Sequence, residues 1–287
     1  GAEYTAGADN EGLLEVLGKV HVESRPDPRE FNTVDADALL LRFDEIEESD
    51  ATVPGARLVE MIARGDVQLE SRSWRRDDQS VKPDVFSISG EHVIYDPRTL
   101  EGQVFGAGHL LIRDLGEPTA EGSPVPAAAD NAFAADGTTL FRWTDSLVLH
   151  QVVDTRFRLR MTGDVECLHQ TIDGFSSTLT GQELSAAVER GNVTASPDTG
   201  SALRLGGEMD IQRIYGEGGL FMRNAQRDVT CDVFDYNVHT GLARVFAHPG
   251  RTVTILDKAS GGTTTAGEIL WDLRQDTIRI SRGGGGG

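Results

Sequence analysis

At 287 residues, with hydrophobic residues at 38% and charged residues at 25% of the chain, the composition is that of a folded protein with material for one large or two ordinary domains. A formal net charge of -19, from 46 acidic and 27 basic side chains, repels nucleic acid and anionic lipid headgroups, and no run approaches the roughly 18 apolar residues of a membrane-spanning helix. Two cysteines, Cys167 and Cys231, are too few for a disulfide framework and too widely spaced for a zinc motif; they are expected as two buried thiols or one long-range bridge.

Gly1 to Asn10 is polar and lacks the apolar core of a signal peptide, so residues 1–11 are expected to be the N-terminal tail of a mature or trimmed chain. Beyond it, period-two alternation dominates, the pattern of half-buried strands. Leu39, Leu41 and Phe43 alternate with Leu40, Arg42 and Asp44. The acidic run Asp44, Glu45, Glu47, Glu48 and Asp50 lacks the ordered aspartates of a calcium loop and reads as a solvated insertion. Ala56 to Arg64 carries helix formers but runs into Gly65-Asp66-Val67, so a strand is predicted there. Arg72, Arg75 and Arg76 surround Trp74, yet Asp77 and Asp78 follow at once, which makes a solvated loop and not a phosphate site. Phe86 and Ile88 resume the alternation. Gly116 to Gly137, rich in Pro, Ala, Gly and Asp, reads as a long excursion from one continuous sheet. After it come Phe157, Leu159 and Met161, then Gln182 to Arg190 (again read as a strand), Val229 with Cys231 and Val233, Val253 with Ile255, and Ile278 with Ile280. Residues 283–287 are expected to be a flexible glycine tail.

Two short units recur along this path. In the first, a glycine is followed at plus two and plus four by small or apolar residues: Gly18-Val20-Val22, Gly65-Val67-Leu69, Gly108-Leu110-Ile112, Gly163-Val165-Cys167, Gly191-Val193-Ala195 and Gly218-Leu220-Met222. In the second, a glycine precedes a polar residue and then apolar ones, starting at Gly90, Gly181, Gly207 and Gly267. A glycine just before a strand supplies a bend, and the plus-two and plus-four side chains share a face. Stacked edge to edge, such units bury one apolar stripe. The fold class expected is all-β: an elongated, repeat-built, folded-over sheet (β-jellyroll, β-taco or solenoid-like) over residues 12–282.

At these residues the sequence resembles the OstA-like family of lipopolysaccharide-transport proteins, which includes LptA and LptC. Ala63 to Leu69 and Glu189 to Val193 match the family's Gly-(Asp/Asn)-Val step, Ser89 to Gly106 matches a full rung with its Tyr95-Asp96…Thr99 turn, and Cys231 to Val245 reads as another. The chain is longer, more acidic and more interrupted than the small members. The resemblance implies a non-catalytic envelope or periplasmic protein of a double-membraned bacterium. It also implies a groove holding acyl chains of lipopolysaccharide or another lipid, and edge-to-edge pairing with like β-jellyroll domains. The alternative expectation is a structural or interaction protein of the envelope with the same sheet and a filled core.

The candidate groove lining is Val67, Leu69, Phe86, Ile88, Tyr95, Leu110, Ile112, Val165, Leu220 and Met222, with Trp74, Trp143 and Trp271 expected to cap the ends of the interior. No Gly-x-Ser-x-Gly elbow, Walker loop or His-Glu-x-x-His occurs, and no carboxylate pair stands out for glycoside chemistry. The seven histidines, His21, His92, His109, His150, His169, His239 and His248, are spread one per rung or loop and are read as surface or strand-flank residues. No catalytic residue, metal site, cofactor or nucleic-acid partner is expected.

Overall fold

The computed structural model describes residues 2–6, 11–46, 55–74, 82–114, 133, 137–153, 155–172, 174–190 and 209–283. Among the described residues every regular element is a β-strand, and all of them belong to one antiparallel sheet of 17 strands. They are β1 (Ala2–Ala6), β2 (Glu11–Asp27), β3 (Glu30–Ile46), β4 (Gly55–Ser73), β5 (Asp84–Asp96), β6 (Glu101–Phe105), β7 (Gly108–Asp114), β8 (Gly137–Trp143) and β9 (Ser146–Val153). There follow β10 (Arg156–Thr171), β11 (Ser176–Arg190), β12 (Met209–Arg223), β13 (Arg227–Asn237), β14 (Leu242–Phe246), β15 (Val253–Asp257), β16 (Thr263–Asp272) and β17 (Thr277–Gly283). The segments Ala56 to Arg64 and Gln182 to Arg190 are strands, as the alternation predicts.

The sheet is folded over along a crease. In the long strands the register shifts midway: between Leu17 and Val20, Asp35 and Ala38, Arg64 and Val67, Thr162 and Val165, Thr180 and Glu183, and Glu217 and Leu220. Elsewhere two short strands replace one long one and break at the same level, as β6 and β7 do at Gly106-Ala107, or β8 and β9 at Thr144-Asp145. The crease divides the sheet into two walls. The first runs β1, β2, β3, β4, β5, β6, β9, β10, β11, β12, β13, β14, β16, β17. The second takes the other halves of the long strands with β7, β8 and β15.

Glycine makes the corner. Gly65 and Asp66 both have positive φ (74° and 43°), as do Gly163 and Asp164 (78° and 40°), a pair of left-handed residues that inserts extra chain and turns the strand. These glycines lie in the middle of strands, not at their starts as the sequence reading expected. A Gly-x-Val step followed by alternation looks the same whether the glycine precedes a strand or bends one. The two repeat units prove to be the two directions of crossing. Gly18, Gly65, Gly108, Gly163 and Gly218 stand where the chain passes from the first wall to the second, and Gly90, Gly181 and Gly267 where it returns.

Turns between rungs follow their side chains. Asp96 accepts the backbone N–H groups of Arg98 (2.8 Å) and Thr99 (3.4 Å) to close β5 onto β6, and Asp272 does the same for Arg274 and Gln275 before β17. One expectation is corrected: within residues 1–11, Ala2–Ala6 is a strand paired with Gly12 to Val16 of β2. Its polar sequence gives no apolar signal, but an edge strand is held by backbone hydrogen bonds. Gly283 ends β17; residues 284–287, the Gly191 copy of the repeat and residues 47–54 and 75–81 lie outside the described residues. The strands flanking the long excursion, β7 and β8, pair directly from Gly108↔Trp143 to Asp114↔Gly137.

One contiguous apolar cluster runs from Val20 to Leu273 along the inner faces of both walls, and full burial of each large member contributes about 1.5–3 kcal/mol. The outer face carries Arg–carboxylate pairs between neighbouring strands: Arg160 with Glu183 and Arg213 with Asp235 as two-point forks, and Arg244 with Glu268. Being exposed, these pairs fix register more than they stabilise.

Candidate functional site

All ten sequence-nominated lining residues face inward, and all are buried within the single cluster. Nine of them lie on the second wall, seven because the Gly-x-Val step enters that wall and Phe86 and Ile88 because they precede the return at Gly90; only Tyr95 is on the first. Apart from Tyr95 and the expected cap Trp271, the first wall's share of the interior went unnominated: Met61, Leu147, Met161, Leu184 and Phe234 are among its fully buried side chains. The walls meet. β7 approaches β12 to within 8 Å between Cα atoms although the two are not sheet neighbours. With none of the ten exposing more than 6% of its surface, the lining packs against protein atoms.

The tryptophans do not share a role. Trp271 closes the C-terminal end, its indole N–H donating to Asp276 (3.0 Å) with the Arg227 guanidinium 5.8 Å above the ring. Trp143 instead lies at the crease in mid-molecule, donating to the Gly106 carbonyl (3.0 Å). Trp74 follows β4, its backbone N–H bonded to the Arg29 carbonyl.

The histidines are also unlike one another. His21 sits exposed between Asp35 (2.6 Å) and Glu23 (3.2 Å), and the hydrogen bond to Asp35 raises its pKa. His92 stacks on Phe105, and burial with nearby Arg64 lowers its pKa. Ser89 Oγ lies 2.6 Å from His109 Nδ1, but burial and the Arg142 cation lower the basicity of that imidazole, the opposite of what a general base for a serine nucleophile needs. His150 pairs with Glu101, His239 with Gln212, and His248 lies 3.8 Å from Glu217. Among the described residues no three His, Cys, Asp or Glu side chains form a metal-binding group.

His169 contradicts the surface reading. It continues the inward alternation of Val165 and Cys167 on β10 and is 1% exposed. Its Nδ1 is 2.8 Å from Thr139 Oγ1, its Nε2 is buried without a partner among the described residues, and burial pulls its pKa down to about 4. Facing it is Phe133, described and 2% exposed within the excursion before β8, whose ring lies 6.0 Å from His169 and from Tyr236 and 6.4 Å from Phe234. His169 was legible in principle, since period two places it with Cys167; nothing in the sequence marks Phe133. Cys167 and Cys231 are free buried thiols; burial raises both pKa values, that of Cys231 to about 12.

No family model, curated protein or solved structure matches the chain. The geometry of the walls and edges therefore carries the functional reading.

Proposed function

We propose that this chain is a non-catalytic structural and interaction module of the cell envelope, of the kind the OstA-like resemblance implies, extended by pairing its terminal strands with like domains. The observation that carries it is the direction of the two ends. Every step from β1 to β17 along the first wall is antiparallel and the number of steps is odd, so the end strands run in opposite directions. A second copy set with β1 against β17 continues the antiparallel ladder without a break. β17 also keeps Ile280 half exposed (51%) in register with the inward-facing Ile269, an apolar side chain that a further rung would cover. The second wall is less suited to pairing, since Pro26 in its half of β2 has no N–H to donate.

Sedimentation velocity over a concentration series tests this: end-to-end oligomers are expected, growing with concentration. Successive N–H groups along a strand point to opposite sides. Of the two variants Arg279→Pro and Ile280→Pro, one should therefore keep the β16–β17 pairing and abolish assembly. A wild-type chain that stays monomeric at its highest soluble concentration refutes the proposal.

A second reading, acyl chains of lipopolysaccharide or another lipid held between the walls, is favoured by Phe133, which belongs to neither wall yet lies between them. The burial of the ten lining residues weighs toward the filled interior. Native mass spectrometry separates the two: lipid adducts support the second reading, and bare protein mass supports the first.

A further inference from the structure

The second wall carries a buried polar cluster, apart from that of Glu30, Asn32 and Ser71, that edge pairing does not use. Thr139, His169 and Ser177 are register partners across β8, β10 and β11 on the inner face of the second wall, none more than 6% exposed. Buried polar atoms in folded proteins are almost always satisfied, and each exception calls for an explanation. Here Thr139 meets Nδ1 of the imidazole while Nε2 has no partner among the described residues. The backbone closes in so tightly that a Cβ on Gly137 would stand 3.1 Å from His169 Cε1.

On the opposite wall Phe234 and Tyr236 present their rings, tilted at 33° to each other with centroids 6.2 Å apart. Between these aromatics and His169 sits the ring of Phe133, at centroid distances of 6.0–6.4 Å, within the range of tilted and edge-to-face aromatic packing. Phe133 holds this place with φ at 61°, a backbone conformation unfavourable for a bulky residue. The space is thus shaped for a ring. Its occupant is strained and offers nothing to the unpartnered nitrogen.

We propose that this space is a binding site for a small neutral ring bearing a hydroxyl, a phenol-type ligand, with Phe133 as the intramolecular occupant against which it competes. The ring is specified by the aromatic faces and the hydroxyl by His169 Nε2. Neutrality follows from the uncharged Thr139, His169 and Ser177, because an unpaired charge is not accommodated in such surroundings. This site is independent of the edge-pairing reading, and either can fail without the other.

The probes are phenol and toluene, titrated by calorimetry into the wild-type chain and into Phe133→Ala, with the His169 ring followed by long-range ¹H–¹⁵N correlation. Phenol is expected to bind the wild type and shift the Nε2 resonance. It should bind Phe133→Ala more tightly, because the competitor is gone. In that variant phenol should outbind toluene roughly five- to tenfold, the worth of one hydrogen bond to a group otherwise unsatisfied. Adding His169→Leu should remove the preference. If Phe133→Ala does not fold, Phe133→Leu gives the same comparison in a smaller space. Equal affinity for the two probes shows a packing cavity only and overturns the proposal, as does an unmoved Nε2 resonance or a wild-type chain that ignores saturating phenol.

Discussion

Acid should weaken this fold through His169 in a definite window. The imidazole is 1% exposed, and burial lowers its pKa from 6.5 to about 4 in the folded chain. Above pH 6.5 it is neutral in both states and contributes no pH dependence. As the pH falls from 6.5 toward 4, the unfolded chain takes up a proton that the folded chain refuses, so stability drops; below 4 both are protonated and the loss stops growing. Each pKa unit is worth about 1.4 kcal/mol, which gives a total of about 3 kcal/mol and about 2 kcal/mol already lost at pH 5. Urea unfolding followed by circular dichroism at pH 7.5, 6, 5 and 4 measures this in the wild type and in His169→Phe. The variant should be less stable at pH 7.5 by a constant offset, since Thr139 loses its partner, but its stability should fall less steeply between pH 6.5 and 4. The rest of the chain is common to both proteins, so the difference between the two curves is the quantity that counts. Parallel curves would show that burial does not hold His169 neutral.

The crease and the C-terminal end give two further predictions. Alanine at Gly65 places a Cβ 2.4 Å from Asp37 Oδ2 and 2.7 Å from its Cβ, on top of a left-handed strain of about 1–2 kcal/mol, whereas alanine at Gly18 bears the strain but meets nothing within 4 Å. Thermal melts should therefore rank Gly65→Ala below Gly18→Ala by at least about 1 kcal/mol, and the reverse order would mean that Asp37 moves aside freely. Asp276→Ala removes the acceptor of the fully buried Trp271 indole and the partner of Arg227. A loss of about 1–3 kcal/mol is expected, with a changed near-ultraviolet dichroism of Trp271; an unchanged spectrum and stability would show that the end closure is not built on this network.

Strand placement was legible because most strands have one wet and one dry face, and period two survives even where helix formers occur, as in Met61-Ile62-Ala63-Arg64. The candidate lining was only half legible. The Gly-x-Val step singles out residues just past a corner into the second wall, while Leu147 and Phe234 on the first wall follow no repeat glycine. Trp143 shows the other limit. Its indole was expected at an end, yet it satisfies its N–H on a carbonyl freed where the crease interrupts β6 and β7, a partnership between residues 37 positions apart that no local pattern encodes. Phe133 has no pattern at all: an isolated phenylalanine in a proline- and alanine-rich stretch becomes informative only when the rings it meets are known.

The deeper regularity is that the chain uses different chemistry for the two directions across the crease. Going from the first wall to the second, Gly65-Asp66 and Gly163-Asp164 take two consecutive left-handed residues, and Gly218-Gly219 does likewise at 94° and 74°. On the return, Gly90-Glu91 and Gly181-Gln182 turn without a positive φ. At these return corners the glycine answers a different demand. A Cβ on Gly90 would lie 2.2 Å from Val104 Cγ1, and one on Gly181 2.3 Å from Leu220 Cδ2, so the missing side chain makes room for the neighbouring rung's apolar residue. Gly65, Gly163 and Gly218 therefore serve backbone conformation and Gly90 and Gly181 serve packing, as Gly108 does on the outbound side, where a Cβ would lie 2.3 Å from the Ser89 carbonyl oxygen. Substitutions should follow that division: D-alanine, which favours positive φ, should be tolerated at Gly18, where the corner is open, whereas at Gly90 L-alanine meets Val104 and D-alanine meets a backbone without positive φ. Semisynthesis of the two D-alanine chains and comparison of their melting temperatures decides it, since a Gly18 D-alanine chain as unstable as the L-alanine variant would mean that handedness is not what the outbound corners require.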